Sequence, residues 1–269
     1  MSSSHVLSSA TPLSGRVALV TGVSRSNGIG FAVARRVGHM GARLFLHGWP
    51  SAQDARYVDD GGVVGRGVVD LLRADGITAE YTEHDFMDPA GPEAVVREAV
   101  DAYGHIDIVD ANHAYFRPDR LENLESEELD RHLLVNVRGS LMLVKDFAAQ
   151  HDGRSGGRVF MMTSGQHLGV TRTEISYMTS KGAIHQATRS LSTSLIGRGI
   201  TVNTINPGPV DTGYATGERW QGVLDRMPLG RWGEPDDVAR LIGWLCTDDA
   251  RWITGQVIDS EGGFRHAWG

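Results

Sequence analysis

Val17-Ala18-Leu19-Val20-Thr21-Gly22-Val23-Ser24-Arg25-Ser26-Asn27-Gly28-Ile29-Gly30 is the stretch on which the reading of the whole chain turns. Residues 16–21, with the apolar run Val17 to Val20 inside them, have the character of a strand buried on both faces of a parallel sheet. A helical pattern follows the glycines and runs to Met40. Strand, glycine-rich turn and helix in that order turn a weak glycine pattern into a prediction of dinucleotide binding. Glycines let the backbone approach a pyrophosphate, and a helix N-terminus offers free N–H groups and the positive end of its dipole to an anion. Taken alone, the stretch also reads as a plain glycine-rich turn.

Outward from this unit the alternation repeats. Residues 42–47, 77–83, 106–109, 158–163, 200–205 and 256–259 read as strands, and residues 68–74, 93–103, 124–150, 175–197 and 236–246 as helices. Such alternation predicts an α/β fold: one doubly wound Rossmann domain with about seven parallel strands and helices on both faces. The expected boundaries are a Ser-rich disordered tail over 1–13 and a catalytic domain over 14–269. Residues 51–67 read as an irregular excursion. Residues 211–233, irregular but carrying Tyr214, Trp220, Leu224 and Met227, read as a lid over a pocket.

Composition narrows the partners. A net charge of -7 over 269 residues argues against nucleic acid or an anionic membrane as a binding surface. No apolar run approaches the roughly 20 residues of a membrane helix. The tail lacks the basic and apolar regions of a signal peptide, and the single cysteine, Cys246, suits a reducing compartment, so a cytoplasmic location is expected.

After the second strand, where an NAD enzyme holds a carboxylate against the ribose, stand Gly48 and Trp49. Nothing acidic repels a 2′-phosphate there, and Arg25 in the glycine loop is placed to pair with one, which favours NADP(H) over NAD(H). Asp85, after the third strand, reads either as an acceptor for the adenine amino group or as a solvated strand-end carboxylate. Asn112 is expected to tie neighbouring strands through its amide. His113 reads as a packed or solvent-facing histidine rather than a proton carrier. Thr212, beyond the turn Pro207-Gly208, is a candidate for a carboxamide. No metal ligand set is assigned.

The chemistry is expected from Tyr177 and Lys181, four apart on a long helix and therefore on one face. An ammonium that close is predicted to lower the phenol's pKa and make it a proton donor and acceptor near neutrality. Ser164, at the carboxyl end of the strand over 158–163, faces the crevice where open α/β sheets bind ligands. Asn136 in the middle of a helical, apolar stretch asks for a reason, because asparagine prefers caps and turns.

With Gly22, Gly28 and Gly30, then Asn112, Asn136, Ser164, Tyr177 and Lys181, and Pro207-Gly208 in that order, the chain resembles the short-chain dehydrogenase/reductase family over residues 15–264. Within it the chain looks most like the bacterial 3-oxoacyl-acyl-carrier-protein reductase type. The resemblance implies Tyr177 as general acid or base, Lys181 as its activator and a ribose ligand, Ser164 on the substrate oxygen, and Asn136 holding a water of the proton relay. It implies cofactor contacts from Gly22, Ser24, Arg25, Gly28, Ile29 and Gly30, from Asp85, Phe86 and Asn112, and from Pro207, Gly208, Val210 and Thr212. It also implies a homotetramer and a small carbonyl or alcohol substrate, free or bound to acyl carrier protein.

Two departures stand out. The family's usual glycine loop has three residues between its first two glycines, and here there are five, Val23 to Asn27. The family's Asn-Asn-Ala-Gly appears as Ala111-Asn112-His113-Ala114. The alternatives that stay open are another reaction in the same fold, such as enoyl reduction, and a sensor or scaffold that binds NADP(H) without turnover.

Overall fold

The computed structural model describes residues 11–49, 62–169 and 171–265. Seven strands lie in one sheet in the order β3-β2-β1-β4-β5-β6-β7: β1 (Val17–Thr21), β2 (Arg43–Gly48), β3 (Ala79–Glu83), β4 (Ile108–Ala111), β5 (Gly157–Met162), β6 (Ile200–Asn206) and β7 (Val257–Asp259). Every pairing is parallel. The side-chain period of two sends alternate residues of the central strands into two cores, which is why β1, β2 and β4 are largely apolar. Ala18, Val20, Leu44, Leu46 and Ile108 enter one core, while their neighbours Leu19, Phe45 and Val109 enter the other.

The first core is closed by α1 (Ile29–His39), α2 (Gly67–Ala74) and α8 (Pro235–Leu245). The second is closed by α3 (Gly91–Tyr103), α5 (Ser140–Gln150) and α6 (Ile175–Leu195). The helical pattern expected over 124–150 is helix α4 (Ser126–His132), a π-helical segment (Leu133–Gly139) and α5 in unbroken succession. The lid contains a helix of its own, α7 (Gly217–Leu224). No helix among the described residues is long and apolar enough to cross a membrane.

Two of the boundaries that differ from those expected have a cause in the packing. Leu13, assigned to the tail on composition, is buried and its amide donates to the Met40 carbonyl at 2.9 Å. The remainder of the expected tail, residues 1–10, lies outside the described residues. The fourth strand starts two residues late because Asp107 is a joint rather than a rung. Its carboxylate accepts from the Val17 amide at 2.8 Å while its own amide donates to the Val17 carbonyl at 2.9 Å.

Candidate active site

Strand order reverses across β1 and β4, so the ligand crevice of such a sheet lies at their carboxyl ends. There Gly22 turns the chain at φ +73°, and a Cβ on it would fall 2.7 Å from the His113 Cα. A Cβ on Gly30 would meet the Asn112 amide nitrogen at 2.6 Å. Neither position has room for a side chain, which brings the loop backbone flat against the end of β4. Asn112 does tie the strands: its Nδ2 donates to the carbonyls of Thr21 at 3.1 Å and Gly22 at 3.3 Å. Helix α1 opens after Gly28 without a side-chain cap, leaving its first amides to an anion. A dinucleotide pyrophosphate fits this cradle.

The long glycine loop is absorbed by a short antiparallel pairing with residues 63–65. The Ser26 amide donates to the Val63 carbonyl and the Gly65 amide to the Ser24 carbonyl, each at 2.9 Å, with Arg25 bridged to Val64 between them. The Ser24 hydroxyl accepts from the Trp49 amide at 3.1 Å. Arg25 therefore sits in backbone that joins the glycine loop, the end of β2 and the segment before α2. Residues 50–61, most of the expected excursion, lie outside the described residues. At the loop's far end Asn27 Nδ2 donates to the Thr212 carbonyl at 3.1 Å, linking the glycine loop to the turn after β6. That turn is built by Gly208 at φ +62°, whose amide donates to Asn206 Oδ1, and by buried Val210 paired with Gly233.

His113 is a strut beneath this crevice. It is buried, with Nδ1 2.7 Å from Thr21 Oγ1 and Nε2 3.2 Å from the Val135 carbonyl. Burial pushes it well below the ordinary imidazole range, so it is neutral. Its ring meets Phe86 edge-on at 4.5 Å, and Phe86 stacks on His47 at 4.3 Å. Phe86 thus spends its ring on packing, and its carbonyl accepts from Arg138 at 2.9 Å. Asp85 closes a turn on itself, Oδ1 accepting from the Met87 amide at 2.8 Å.

At the end of β5 the Thr163 hydroxyl donates to the Lys181 carbonyl at 3.0 Å, fastening the strand that delivers Ser164 to helix α6. The Ser164 amide donates to Gln166 Oε1 at 3.2 Å. Lys181 is buried, and its Nζ donates to the Met162 carbonyl at 2.9 Å and lies 5.6 Å from the Tyr177 ring centroid. The lowered phenol pKa expected from the spacing of Tyr177 and Lys181 is not found. Burial pushes Lys181 itself down to about 8, and its ammonium is turned to a carbonyl. On the phenol, loss of water, then the Glu174 carboxylate and Tyr214, act upward and hold it above its ordinary value.

Asn136 has its reason. Its Oδ1 accepts from the Tyr115 amide at 2.6 Å, and its Nδ2 donates to the Tyr115 carbonyl at 3.0 Å and to Ser180 Oγ at 2.9 Å. Ser180 in turn donates to the Tyr177 carbonyl at 2.7 Å. The asparagine thereby pins the loop after β4 to the turn of α6 that carries Tyr177. Both ends of its carboxamide are engaged by protein atoms, and its own carbonyl accepts the Ser140 hydroxyl at 2.8 Å where the helix loosens to π geometry.

A cavity of about 480 Å³ opens in front of Ser164, between Met178 of α6 and the lid residues Tyr214, Arg219 and Arg226. Glu174 lines it and feels both burial, which raises its pKa, and Arg219, which opposes the rise from 3.4 Å. Tyr177 is half-buried beside it, its ring edge-on to Phe116 at 5.1 Å.

Sequence reasoning missed Asp119. Both its carboxylate oxygens lie 3.2 Å from the Ser176 amide, so a residue 57 positions upstream caps the helix just ahead of Tyr177. It also missed Glu128, which accepts from the Tyr115 hydroxyl and from Arg117, each at 2.8 Å. Neither has a local signal, although Pro118-Asp119 has the composition of a turn.

A family model described as Enoyl-(Acyl carrier protein) reductase matches residues 22–265. The chain is 37% identical over 251 residues to a Bacillus subtilis protein named Uncharacterized oxidoreductase YjdA, covering 93% of this chain and 96% of that one. It is 32% identical over 268 residues to Versicolorin reductase 1 of Aspergillus parasiticus, covering 93% and 97%. Among solved structures, a short chain dehydrogenase from Burkholderia cenocepacia in complex with NADP superposes with a TM-score of 0.82 at 32% identity, covering 94% and 98%.

Proposed function

This chain belongs to the short-chain dehydrogenase/reductase family, and from that premise we propose that it is a ketoreductase moving a hydride between NADP(H) and a ketone or secondary alcohol. One observation carries the reading. Ser164 lines the cavity beside the helix that bears Tyr177 and Lys181, at the same sheet end where the glycine loop opens onto an uncapped helix.

A nicotinamide bound in the crevice supplies the hydride that goes to the carbonyl carbon. The Ser164 hydroxyl donates a hydrogen bond to the carbonyl oxygen, and the Tyr177 phenol gives that oxygen the proton that completes the alcohol. A raised pKa keeps the phenol in its donor form through neutral pH, while Lys181, its ammonium held to the Met162 carbonyl, would hold the nicotinamide ribose. Asn136 and Ser180 hold the Tyr177 turn in register with the loop at Tyr115. Preference for NADP(H) is supported by Gly48 and Trp49, where a carboxylate would be needed to exclude a 2′-phosphate, and by Arg25 close by.

The test is oxidation of NADPH against a panel of ketones, including a 3-oxoacyl thioester free and on acyl carrier protein. Tyr177→Phe is expected to lower kcat by about 10²–10⁴-fold with NADPH affinity retained. Turnover that survives this change overturns the assignment, and binding of NADPH without turnover of any carbonyl indicates a sensor. NADPH is expected to bind more tightly than NADH.

The description of the matching family model favours a second reading, reduction of an enoyl double bond. In the enoyl reductases that resemble this family the tyrosine and lysine stand seven apart and the serine is missing, whereas here they are four apart and Ser164 is present. Product analysis separates the two, since a hydroxy compound supports the first and a saturated one the second.

A further inference from the structure

The cavity in front of Ser164 has three charged residues in its wall, Glu174, Arg219 and Arg226. Two of them are matched. Arg219 Nη2 lies 3.4 Å from Glu174 Oε1, and its guanidinium rests over the Tyr214 ring at 5.5 Å. Arg226 has no carboxylate partner among the described residues. It is half-buried at the end of the lid helix, its Nε donates to the Gly222 carbonyl at 3.1 Å, and its guanidinium lies over the Phe264 ring at 4.7 Å. Among the described residues no carboxylate comes within 4.0 Å of it, and its two terminal nitrogens have no hydrogen-bond acceptor.

One backbone acceptor and one aromatic face therefore hold a planar cation in a fixed pose, with its paired N–H groups unused. The cavity wall also carries one excess positive charge in a chain whose net charge is -7. The lining also includes Met178, Pro209 and Val223, whose apolar surfaces suit a short apolar spacer.

We propose that the substrate is a ketone bearing a carboxylate, with the carbonyl at Ser164 and the carboxylate received by the free fork of Arg226. A guanidinium presents two parallel N–H groups that match a carboxylate's two oxygens. The proposal rests on the ketoreductase reading above and names the substrate class of that same site. Arg226 touches no reacting atom; it selects and positions.

The experiment uses matched substrates, ketones with a terminal carboxylate and their methyl esters, with the NADPH-loaded enzyme, Arg226→Gln and Arg226→Lys. The wild type is expected to favour the acid over the ester by about 10- to 100-fold in kcat/KM, the range of one charge-assisted bidentate contact, with the difference in KM. Arg226→Gln is expected to bring that ratio near one by lowering kcat/KM for the acid far more than for the ester, and Arg226→Lys to restore part of it. Equal use of acid and ester by the wild type, or an equal loss on both in Arg226→Gln, overturns the proposal. If neither ketone is reduced by the wild type, the ketoreductase reading has failed instead. Calorimetric binding of adipate to the NADPH complex then decides the site: binding lost in Arg226→Gln supports it, and binding that is absent or indifferent to the change overturns it.

Discussion

Asp110 sits in β4 one residue before its end, buried, and among the described residues neither of its carboxylate oxygens has a hydrogen-bond partner. Burial raises its pKa to about 8 from the ordinary 3.8, so the fold keeps the proton over a range where the unfolded chain has released it. The native state then binds more protons than the unfolded state, and stability falls as pH rises from about 4 to about 8. Above that window both states are ionised and the loss is constant; below it both are protonated and the loss vanishes. Asp110→Asn, isosteric and neutral at every pH, is expected to gain on the wild type by several kcal/mol between about pH 4 and about pH 9, since each pH unit between the folded and unfolded pKa values is worth about 1.4 kcal/mol. Denaturant midpoints of the two proteins that stay parallel across this range would count against a buried neutral acid. Tyr177, Lys181, Ser164 and Asn136 are legible as residues because each is an odd choice for its local setting or keeps a meaningful spacing. The state of the phenol is not legible, because the direction of the Lys181 side chain depends on where the Met162 carbonyl lies. His113 reads from sequence as either packed or solvent-facing rather than as a proton carrier, and it is buried under Gly22 between β1 and the π-helical segment.

At the scale of elements, the helix bearing Tyr177 starts where it does because Asp119 accepts the Ser176 amide, and a charged acceptor at a helix N-terminus is favoured by both hydrogen bond and dipole. Asp119→Ala is expected to destabilise the fold by about 1–2 kcal/mol. Because Tyr177 is one residue further on, kcat should fall more than NADPH affinity does. A loss confined to thermal stability, with kcat unchanged, would make the cap structural only. The glycine loop offers a parallel case. Asn27 bonds to Thr212 across from it, so a side-chain bond joins the glycine loop to the turn after β6 on the other side of the crevice. Asn27→Ala is expected to speed NADPH release severalfold, read by the decay of reduced-nicotinamide fluorescence on dilution, and release at the wild-type rate would dismiss the link. The strand-turn-helix unit is legible from glycine spacing and apolar runs. The pairing of residues 63–65 with the long loop is not, because those residues carry no strand pattern and find order only against Ser24 to Ser26.

For the whole molecule, seven parallel strands and two helical layers follow from alternation alone, since strands buried on both faces and amphipathic helices leave few other ways to bury their apolar surface. How copies of the chain meet is less directly written, but the fold narrows it. Leu134, Val137 and Leu141 recur at three and four along the π-helical segment and α5, lie on one face, and are half-buried without joining either core. An apolar stripe on the outer side of a layer already packed against the sheet would be covered if a second copy of the same helix met it by two-fold symmetry. The same helix holds Asn136, so assembly would stiffen the segment that pins Tyr115 and the Tyr177 turn. A homotetramer is expected in sedimentation velocity, with Val137→Lys shifting it to smaller species because two like charges would face each other at the centre of the contact. The smaller species should retain NADPH binding, since the glycine loop is held by Asn112, residues 63–65 and Thr212 rather than by this stripe, and should lose kcat as the Asn136 segment loosens. A wild type that sediments as a monomer, or a tetramer indifferent to Val137→Lys, would place the contact elsewhere or nowhere.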